Sequence, residues 1–259
     1  MSTVLRQYLS WNSRLSRWQR CMASRVIPQL AHDGAREFRE RVLQSLLSPG
    51  LRVLDVGGGK HPAISLQTKQ ELGLHIVGLD ISDTELVQAP AGAYDHIVVG
   101  DVATVNIPGQ YDLIFSRSVI EHVQDPASAI ENLSRVLAPG GTMAHFMPCR
   151  NAPFAIINRA LGNQVARQLL FALFPDKRND SGFQAFYNYC TPSELADLIG
   201  GRGLEVVRVI PYYKSDYAAF FAPFYTVEML RQALMCYFNL EDLSETFSIV
   251  ARTPQSRAA

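Results

Sequence analysis

The amino-acid sequence predicts an α/β domain: a doubly wound, mostly parallel sheet of seven strands with a helical N-terminal arm and two inserted segments. Three observations carry that prediction. From residue 50 onward, short uninterrupted apolar blocks alternate with helical stretches, the pattern of parallel strands buried on both faces. A glycine run, Gly57-Gly58-Gly59, stands where the first strand turns into the first helix. Three aspartates, Asp55, Asp80 and Asp101, close three successive strands.

Taken in order, the first strand is expected over residues 51–56, followed by a helix over 62–72. A second strand runs over 74–81, a third over 97–99 and a fourth over 111–116. The next helix, at about 126–137, is expected to stop at Pro139-Gly140-Gly141, because proline lacks an amide donor and glycine frees the backbone. Residues 142–147 form the fifth strand. An aromatic-rich insertion over 151–190 then breaks the rhythm. Thr191-Pro192-Ser193-Glu194 opens a new helix, with threonine at the N-cap, proline at the first position and glutamate at the third. Strands over 204–210 and 246–251 close the sheet. Between them, residues 211–240 hold nine of the 25 aromatic side chains and only four charges, so a lid is expected there. The expected domains are an arm over 1–45 and an α/β domain over 46–259 carrying both insertions.

Composition bounds the function. Of 259 residues, 47% are apolar, enough for a sizeable core and against disorder. Lys+Arg and Asp+Glu both number 24, so net charge gives no sign of a nucleic-acid partner. The charge is uneven all the same: residues 1–52 hold nine arginines and three acids. The cysteines at 21, 149, 190 and 236 never reach metal-ligand spacing, so no metal and no disulfide framework is expected, and a reducing, cytoplasmic setting is the default. The N-terminus lacks the apolar run of a signal peptide. No stretch reaches the ~18–20 apolar residues of a spanning helix. A soluble protein, at most peripheral to a membrane, is expected.

Glycines at a strand-to-helix turn let backbone approach a ligand without a Cβ in the way. A nucleotide-like ligand would then lie across the carboxyl ends of the strands. Asp80, 25 positions after Asp55, is placed to accept both hydroxyls of a ribose, and Asp101 to accept from an exocyclic amine of adenine. The dinucleotide fingerprint G-x-G-x-x-G needs glycine at 62, where Pro62 stands. An acid just before the loop also suits a cation better than a pyrophosphate. S-adenosyl-L-methionine, with its sulfonium and amino group and no phosphate, meets both conditions.

The segments VLDVGGGKHP (53–62), GLDIS (78–82), GDV (100–102), YDLIFSRSVIEHVQDP (111–126) and LSRVLAPGGTMAHFMP (133–148) resemble the class I S-adenosylmethionine-dependent methyltransferases. Within that family the chain looks most like the quinone-pathway and small-molecule branch. The insertion adds a likeness to methyltransferases of polysaccharide gene clusters. The resemblance implies a Rossmann-like sheet. It implies that Asp55, Gly57, Gly58 and Gly59 hold the methionine moiety and that Asp80 holds the ribose. Ile81 would pack on the adenine, whose edge would meet Asp101 and Val102. Ser116 and Arg117 would lie near the sulfonium and the acceptor pocket. Lys60-His61-Pro62 departs from the smaller residues that many relatives carry after the glycines.

Methyl transfer is an in-line displacement that rests on positioning and desolvation, and a hydroxyl acceptor gains from a base. His122, beyond the fourth strand and beside Glu121, has the address of that base; the alternative is that the pair fixes the turn. His75 and His96 begin strands and read as structural, and His145 as a buried, hydrogen-bonded residue. Arg150, Asn151, Tyr187 and Tyr189 are the candidates for acceptor binding. The expected acceptor is a hydroxyl-bearing small molecule, or one linked to a glycan or lipid. The alternatives are C-methylation of a quinone-like ring and a non-catalytic S-adenosylmethionine-binding regulator. Val4, Tyr8, Trp11, Leu15, Trp18 and Met22 step by four and three along one helical stripe, with Arg14, Arg17 and Arg20 around it. That stripe is expected to cap the cleft, to contact a second copy, or to touch a membrane through residues 1–22.

Overall fold

The computed structural model describes residues 3–162 and 183–254; for residues 3–6 and Leu9 it describes backbone alone. Seven strands form one sheet: β1 (Arg52–Val56), β2 (His75–Asp80), β3 (His96–Val99), β4 (Tyr111–Arg117), β5 (Leu137–Pro148), β6 (Glu205–Tyr212) and β7 (Thr246–Arg252). Their order is β3-β2-β1-β4-β5-β7-β6. The chain runs outward from β1 to β3, then restarts at β4 on the other side of β1. Asp55, opposite Gly78 of β2 and Phe115 of β4, therefore sits at the switch point where α/β sheets bind ligands. Only β7 is antiparallel to its neighbours β5 and β6.

Both faces of the sheet are covered, as the continuous apolar strands require. On one face Leu54, Ile114 and Phe247 pack against helices α5 (Pro126–Arg135) and α7 (Pro192–Gly200) through Ile130, Leu133 and Leu195. On the other, Val53, Phe115 and Phe146 meet α2, which opens at Gly34–Glu37, passes through a π-helical turn at Phe38–Val42 and ends at Leu43–Leu46. Phe38 stacks on Phe146 at 5.7 Å between ring centroids. A Cβ at Gly34 would overlap Thr246 and the rings of Tyr212 and Phe146, so only glycine allows this helix so close to the sheet. Most of α2, placed in the arm by the pattern, thus packs on the α/β core.

Short helices α3 (Leu66–Leu72) and α4 (Asp83–Val87) follow β1 and β2, capped by Ser65 and Ser82, whose hydroxyls accept from the amides of Thr68 and Glu85. Two boundaries differ from expectation. The fourth strand's neighbour begins at Leu137, so Pro139-Gly140-Gly141 lies inside β5 and not merely at a helix stop. The β4–β5 register shifts there, between Tyr111↔Leu137 and Leu113↔Thr142, and the turn residues absorb the shift. α3 begins four residues later than 62, after the glycine loop has spent Pro62 to Ser65 on turning.

The insertions are also different in kind. The first contains α6 (Pro153–Leu161); its residues 163–182, including nearly all of FPDKRNDSGF, lie outside the described residues. The second contains α8 (Ala222–Tyr237), which packs along α1 (Thr3–Val26). Their contact combines a small apolar cluster, Ala23 with Leu30, Tyr213 and Met235, and a set of polar bonds. Asn12 accepts from the Ala222 amide, Gln19 donates to Thr226, and Arg20 donates to Tyr225 and Gln232. Asn12 and Ser16 are buried, while Trp11 and Trp18 are 62% and 61% exposed. The apolar stripe of the arm therefore faces outward and caps nothing among the described residues. Val4's side chain lies outside the described residues. No described helix is long and apolar enough to cross a membrane.

Candidate functional site

β1 carries Asp55 to the switch point, where it is buried beneath the glycine loop at 3% exposure. The Tyr94 hydroxyl lies 3.4 Å from Asp55 Oδ2 and 3.2 Å from the Gly59 carbonyl, and its one proton serves one of them at a time. Burial pushes the Asp55 carboxyl up to about 7, against the pull of the Arg117 charge and the Tyr94 hydroxyl. A buried acid held this way is poised to meet a cation.

The glycines above it answer to the protein as well as to a ligand. Gly57 and Gly59 have φ of +69° and +47°. A Cβ at Gly57 would overlap Val119, and one at Gly58 would overlap Tyr94 and Asp55. At Gly59 a Cβ would sit 3.4 Å from Asp80 Oδ2, inside the cradle between loop and carboxylate.

Asp80 closes β2 half-buried, with Oδ1 accepting from the Ser82 amide at 2.9 Å. Its carboxyl is raised by burial, against that amide and with help from nearby Glu85. Glu85 in turn pairs with Lys60 Nζ at 3.2 Å. Ile81, next to Asp80, is an exposed apolar side chain at the rim. Asp101 is exposed and caps its own turn, accepting from the Ala103 amide at 2.9 Å. Val102 turns its side chain into the core, and Asn132 holds its carbonyl at 3.0 Å. In sequence along the strand ends stand a buried acid under a glycine loop, a carboxylate, an apolar rim and a second carboxylate. That donor set fits the amino-acid end, ribose and adenine of S-adenosylmethionine.

On the other side of β1, β4 delivers the candidate acceptor residues. Ser116 is buried and bonded to His145 Nδ1 at 2.7 Å, across the β4–β5 pair. Burial pushes His145 down to about 4, so this pair is a neutral tie inside the sheet. Arg117, the next residue, points outward, and its guanidinium donates to the His61 carbonyl at 3.3 Å. A 3₁₀ turn, Ile120–His122, follows. The carbonyl of Glu121 accepts from the amides of Phe186 and Tyr187 at 2.7 and 3.1 Å, which ties the turn to the first insertion. Its carboxyl is buried, Oε2 has no hydrogen-bond partner among the described residues, and burial pushes it up to about 8.

His122 Nδ1 lies 2.9 Å from the Gln184 carbonyl. A carbonyl only accepts, so Nδ1 carries the hydrogen and Nε2 keeps its lone pair. Nε2 stands 3.9 Å from Glu121 Oε1. Burial lowers the His122 pKa, with the Gln184 bond opposing, so at neutral pH this is a contact between two uncharged groups.

The remaining candidates are engaged to different degrees. Arg150 pairs with Glu194 at 2.9 Å, and Asn151 donates to the Asp242 carbonyl at 2.9 Å. Tyr187 is buried in the main core, and its hydroxyl accepts from Asn158 at 3.4 Å. Tyr189, like Tyr187, has a left-handed backbone, but its side chain is exposed. Sequence reasoning missed Tyr94 and Glu85, and read Lys60 only as a departure from the family's loop. Glu85 was visible only as the third position of a helix start at Ser82. No group of three metal-binding side chains is present among the described residues.

A family model described as a methyltransferase domain matches residues 29–209. Ubiquinone biosynthesis O-methyltransferase of Pseudomonas aeruginosa is 29% identical over 168 residues, covering 62% of this chain and 67% of the relative. The Bordetella bronchiseptica protein of the same name is 28% identical over 163 residues, covering 60% and 63%. Among solved structures, an S-adenosylmethionine-dependent methyltransferase from Mesorhizobium loti superposes with a TM-score of 0.56 at 17% identity, covering 85% of this chain and 99% of that one. Phosphoethanolamine N-methyltransferase 2 of Haemonchus contortus, solved with S-adenosyl-L-methionine, gives 0.56 at 18% identity. This chain is 84% covered there and spans about half, 52%, of that protein. These structures share the fold, and the family model spans most of the chain. The chain belongs to the class I S-adenosylmethionine-dependent methyltransferases.

Proposed function

We propose that the chain methylates a hydroxyl group on a small molecule, glycan or lipid-linked acceptor, with His122 Nε2 taking the hydroxyl proton. The observation that carries this reading is the Gln184 carbonyl at His122 Nδ1, which leaves Nε2 as a neutral acceptor. Bound S-adenosylmethionine supplies an electrophilic methyl group on a sulfonium. Asp80 binds the ribose, Ile81 and Asp101 flank the adenine, and Asp55 under the glycine loop balances positive charge. Ser116 holds β4 in place through His145, and Arg117 lies nearest the acceptor. Tyr189 and Arg150 are the acceptor contacts of this reading. Asn151 and Tyr187 serve by fixing the loops that carry them. The name of the Pseudomonas and Bordetella relatives, O-methyltransferases of ubiquinone biosynthesis, supports a hydroxyl on a small molecule. The reading includes peripheral contact with a membrane.

The test is a panel of phenols, sugar alcohols and quinols incubated with protein and S-adenosylmethionine, read by mass spectrometry. An O-methylated product that disappears in His122→Ala supports the reading. A ring-methylated product assigns C-methylation instead, and cofactor binding without any product assigns a regulator.

A further inference from the structure

We infer that helices α1 and α8 together form one face that docks on an anionic lipid bilayer. This deepens the membrane contact of the proposed function and is independent of the chemistry at His122.

The pair keeps much of its apolar surface on the outside. Its interior carries polar bonds from Asn12, Gln19 and Arg20 of α1 to Ala222, Thr226, Tyr225 and Gln232 of α8, beside a small apolar cluster where Ala23 meets Leu30 and Met235. Its exterior is apolar, with Trp11, Trp18 and Met22 exposed on α1 and Val227, Leu230 and Tyr237 exposed on α8. The two apolar faces are continuous. Gln19 lies between exposed Met22, three residues on, and buried Ser16, three residues back. Thr226 lies between buried Ala222 and exposed Leu230, four residues either way. The Gln19–Thr226 hydrogen bond at 2.8 Å therefore marks a seam with apolar surface on the same side of both helices. Soluble chains seldom leave so wide an apolar face uncovered.

Charge and residue type choose the occupant. Residues 3–26 contain five arginines and no acid. Arg20 turns inward to α8, whereas Arg14, Arg17 and Arg25 are exposed. Arg14 falls three residues after Trp11 and four before Trp18, so it borders the apolar stripe. A two-fold copy of the chain would set these arginine borders against each other with no acid of α1 to offset them. Phosphate headgroups of an anionic leaflet would neutralise them instead, and tryptophan and tyrosine suit the water–lipid boundary.

The face also lies at the right end of the molecule. β6 leaves the sheet at Tyr212 and β7 re-enters at Thr246, and Thr246 pairs with both Tyr212 and Pro148. The segment between them, with α8, thus rises from the edge where β5 ends. That is the carboxyl edge that carries the glycine loop and His122. Docking would bring the acceptor side of the site toward the lipid surface.

Trp11 and Trp18 are the only tryptophans in the chain, so intrinsic fluorescence reports this face directly. The experiment mixes full-length protein with vesicles of phosphatidylglycerol and phosphatidylcholine, or phosphatidylcholine alone. We expect blue-shifted emission, quenching by brominated acyl chains and co-sedimentation with the anionic vesicles only, with release as salt rises. Trp11→Glu and Leu230→Glu should each weaken vesicle binding by at least about tenfold while S-adenosylhomocysteine affinity is unchanged. A wild-type protein that ignores anionic vesicles overturns the inference, and so does binding that either variant leaves intact. A dimer that both variants dissolve, with no vesicle binding, overturns it too and gives the face to a second copy. Failure of the proposed O-methylation would show in turnover of a water-soluble acceptor and would leave vesicle binding unchanged.

Discussion

The His122 ring donates from Nδ1 to the Gln184 backbone oxygen at 2.9 Å, so residue 184 of the insertion sets the tautomer of a residue on the β4 turn. Because the donor is fixed by a carbonyl, the free nitrogen of the imidazole is Nε2. His122→Ala should lower kcat by about 10²–10⁴-fold and leave S-adenosylhomocysteine affinity unchanged. The base works only when deprotonated, and burial lowers its pKa below the ordinary 6.5. Wild-type kcat should therefore fall as pH drops, with a midpoint under 6.5, and the variant should lose that limb. Steady-state kinetics across pH on the accepted hydroxyl substrate checks both.

Asp55 predicts a second pH dependence, in binding. Its carboxyl is raised by burial to about 7 in the ligand-free protein. A cationic ligand favours the charged form, so binding releases a proton and affinity should rise with pH across about 6–8. Asp55→Asn should weaken S-adenosylmethionine binding and flatten the profile. Calorimetry in buffers of different ionisation heat measures the released proton.

Glu121 predicts a stability profile. Its pKa is raised from 4.5 to about 8 in the folded protein. The unfolded chain therefore loses this proton first, and the folded state loses stability as pH rises from 4.5 to about 8. Glu121→Gln keeps the shape without the charge. It should be more stable than wild type at pH 8–9, by about 1–3 kcal/mol, and no more stable near pH 4. Urea unfolding at the two pH values decides it.

Arg20 is the polar rivet of the arm. Its guanidinium is 11% exposed and serves Tyr225, Gln232, Asp216 and the carbonyls of Leu30 and Ser215. Arg20→Ala should destabilise the protein by about 1–3 kcal/mol, because the Leu30 carbonyl and buried Gln232 lose their donor, while half-exposed Asp216 keeps Tyr225 and Lys214. Hydrogen exchange should localise the loosening to α1 and α8, with the glycine loop unaffected.

Much of the sheet was legible in the sequence because β1, β2 and β4 are buried on both faces and so read as unbroken apolar blocks. The acids at their ends were legible because a parallel sheet exposes its carboxyl edge to ligand. What stayed hidden was direction. Ser116 and Arg117 are adjacent, yet strand alternation sends the first to His145 and the second to the cleft. In the turn after β3, Asp101 stays exposed while Val102 turns into the core. The arm shows the larger limit. Its stripe was read correctly as helical, but which face it buries is set by hydrogen bonds to α8, some two hundred residues away. Tyr94 came from a loop with no motif, and the glycine run gave no hint that Val119 and Tyr94 also require it.

The central claim is that S-adenosylmethionine binds over the glycine loop with its ribose on Asp80. Titration calorimetry with S-adenosylhomocysteine on wild type and Asp80→Asn tests it most directly. The asparagine can still accept from the Ser82 amide, so the turn should stand, while the charged hydrogen bonds to ribose are lost at about 1.5–3 kcal/mol each. The account predicts one-to-one binding by wild type and at least about tenfold weaker binding by the variant. Wild type without measurable heat, or a variant that binds as tightly, would contradict it.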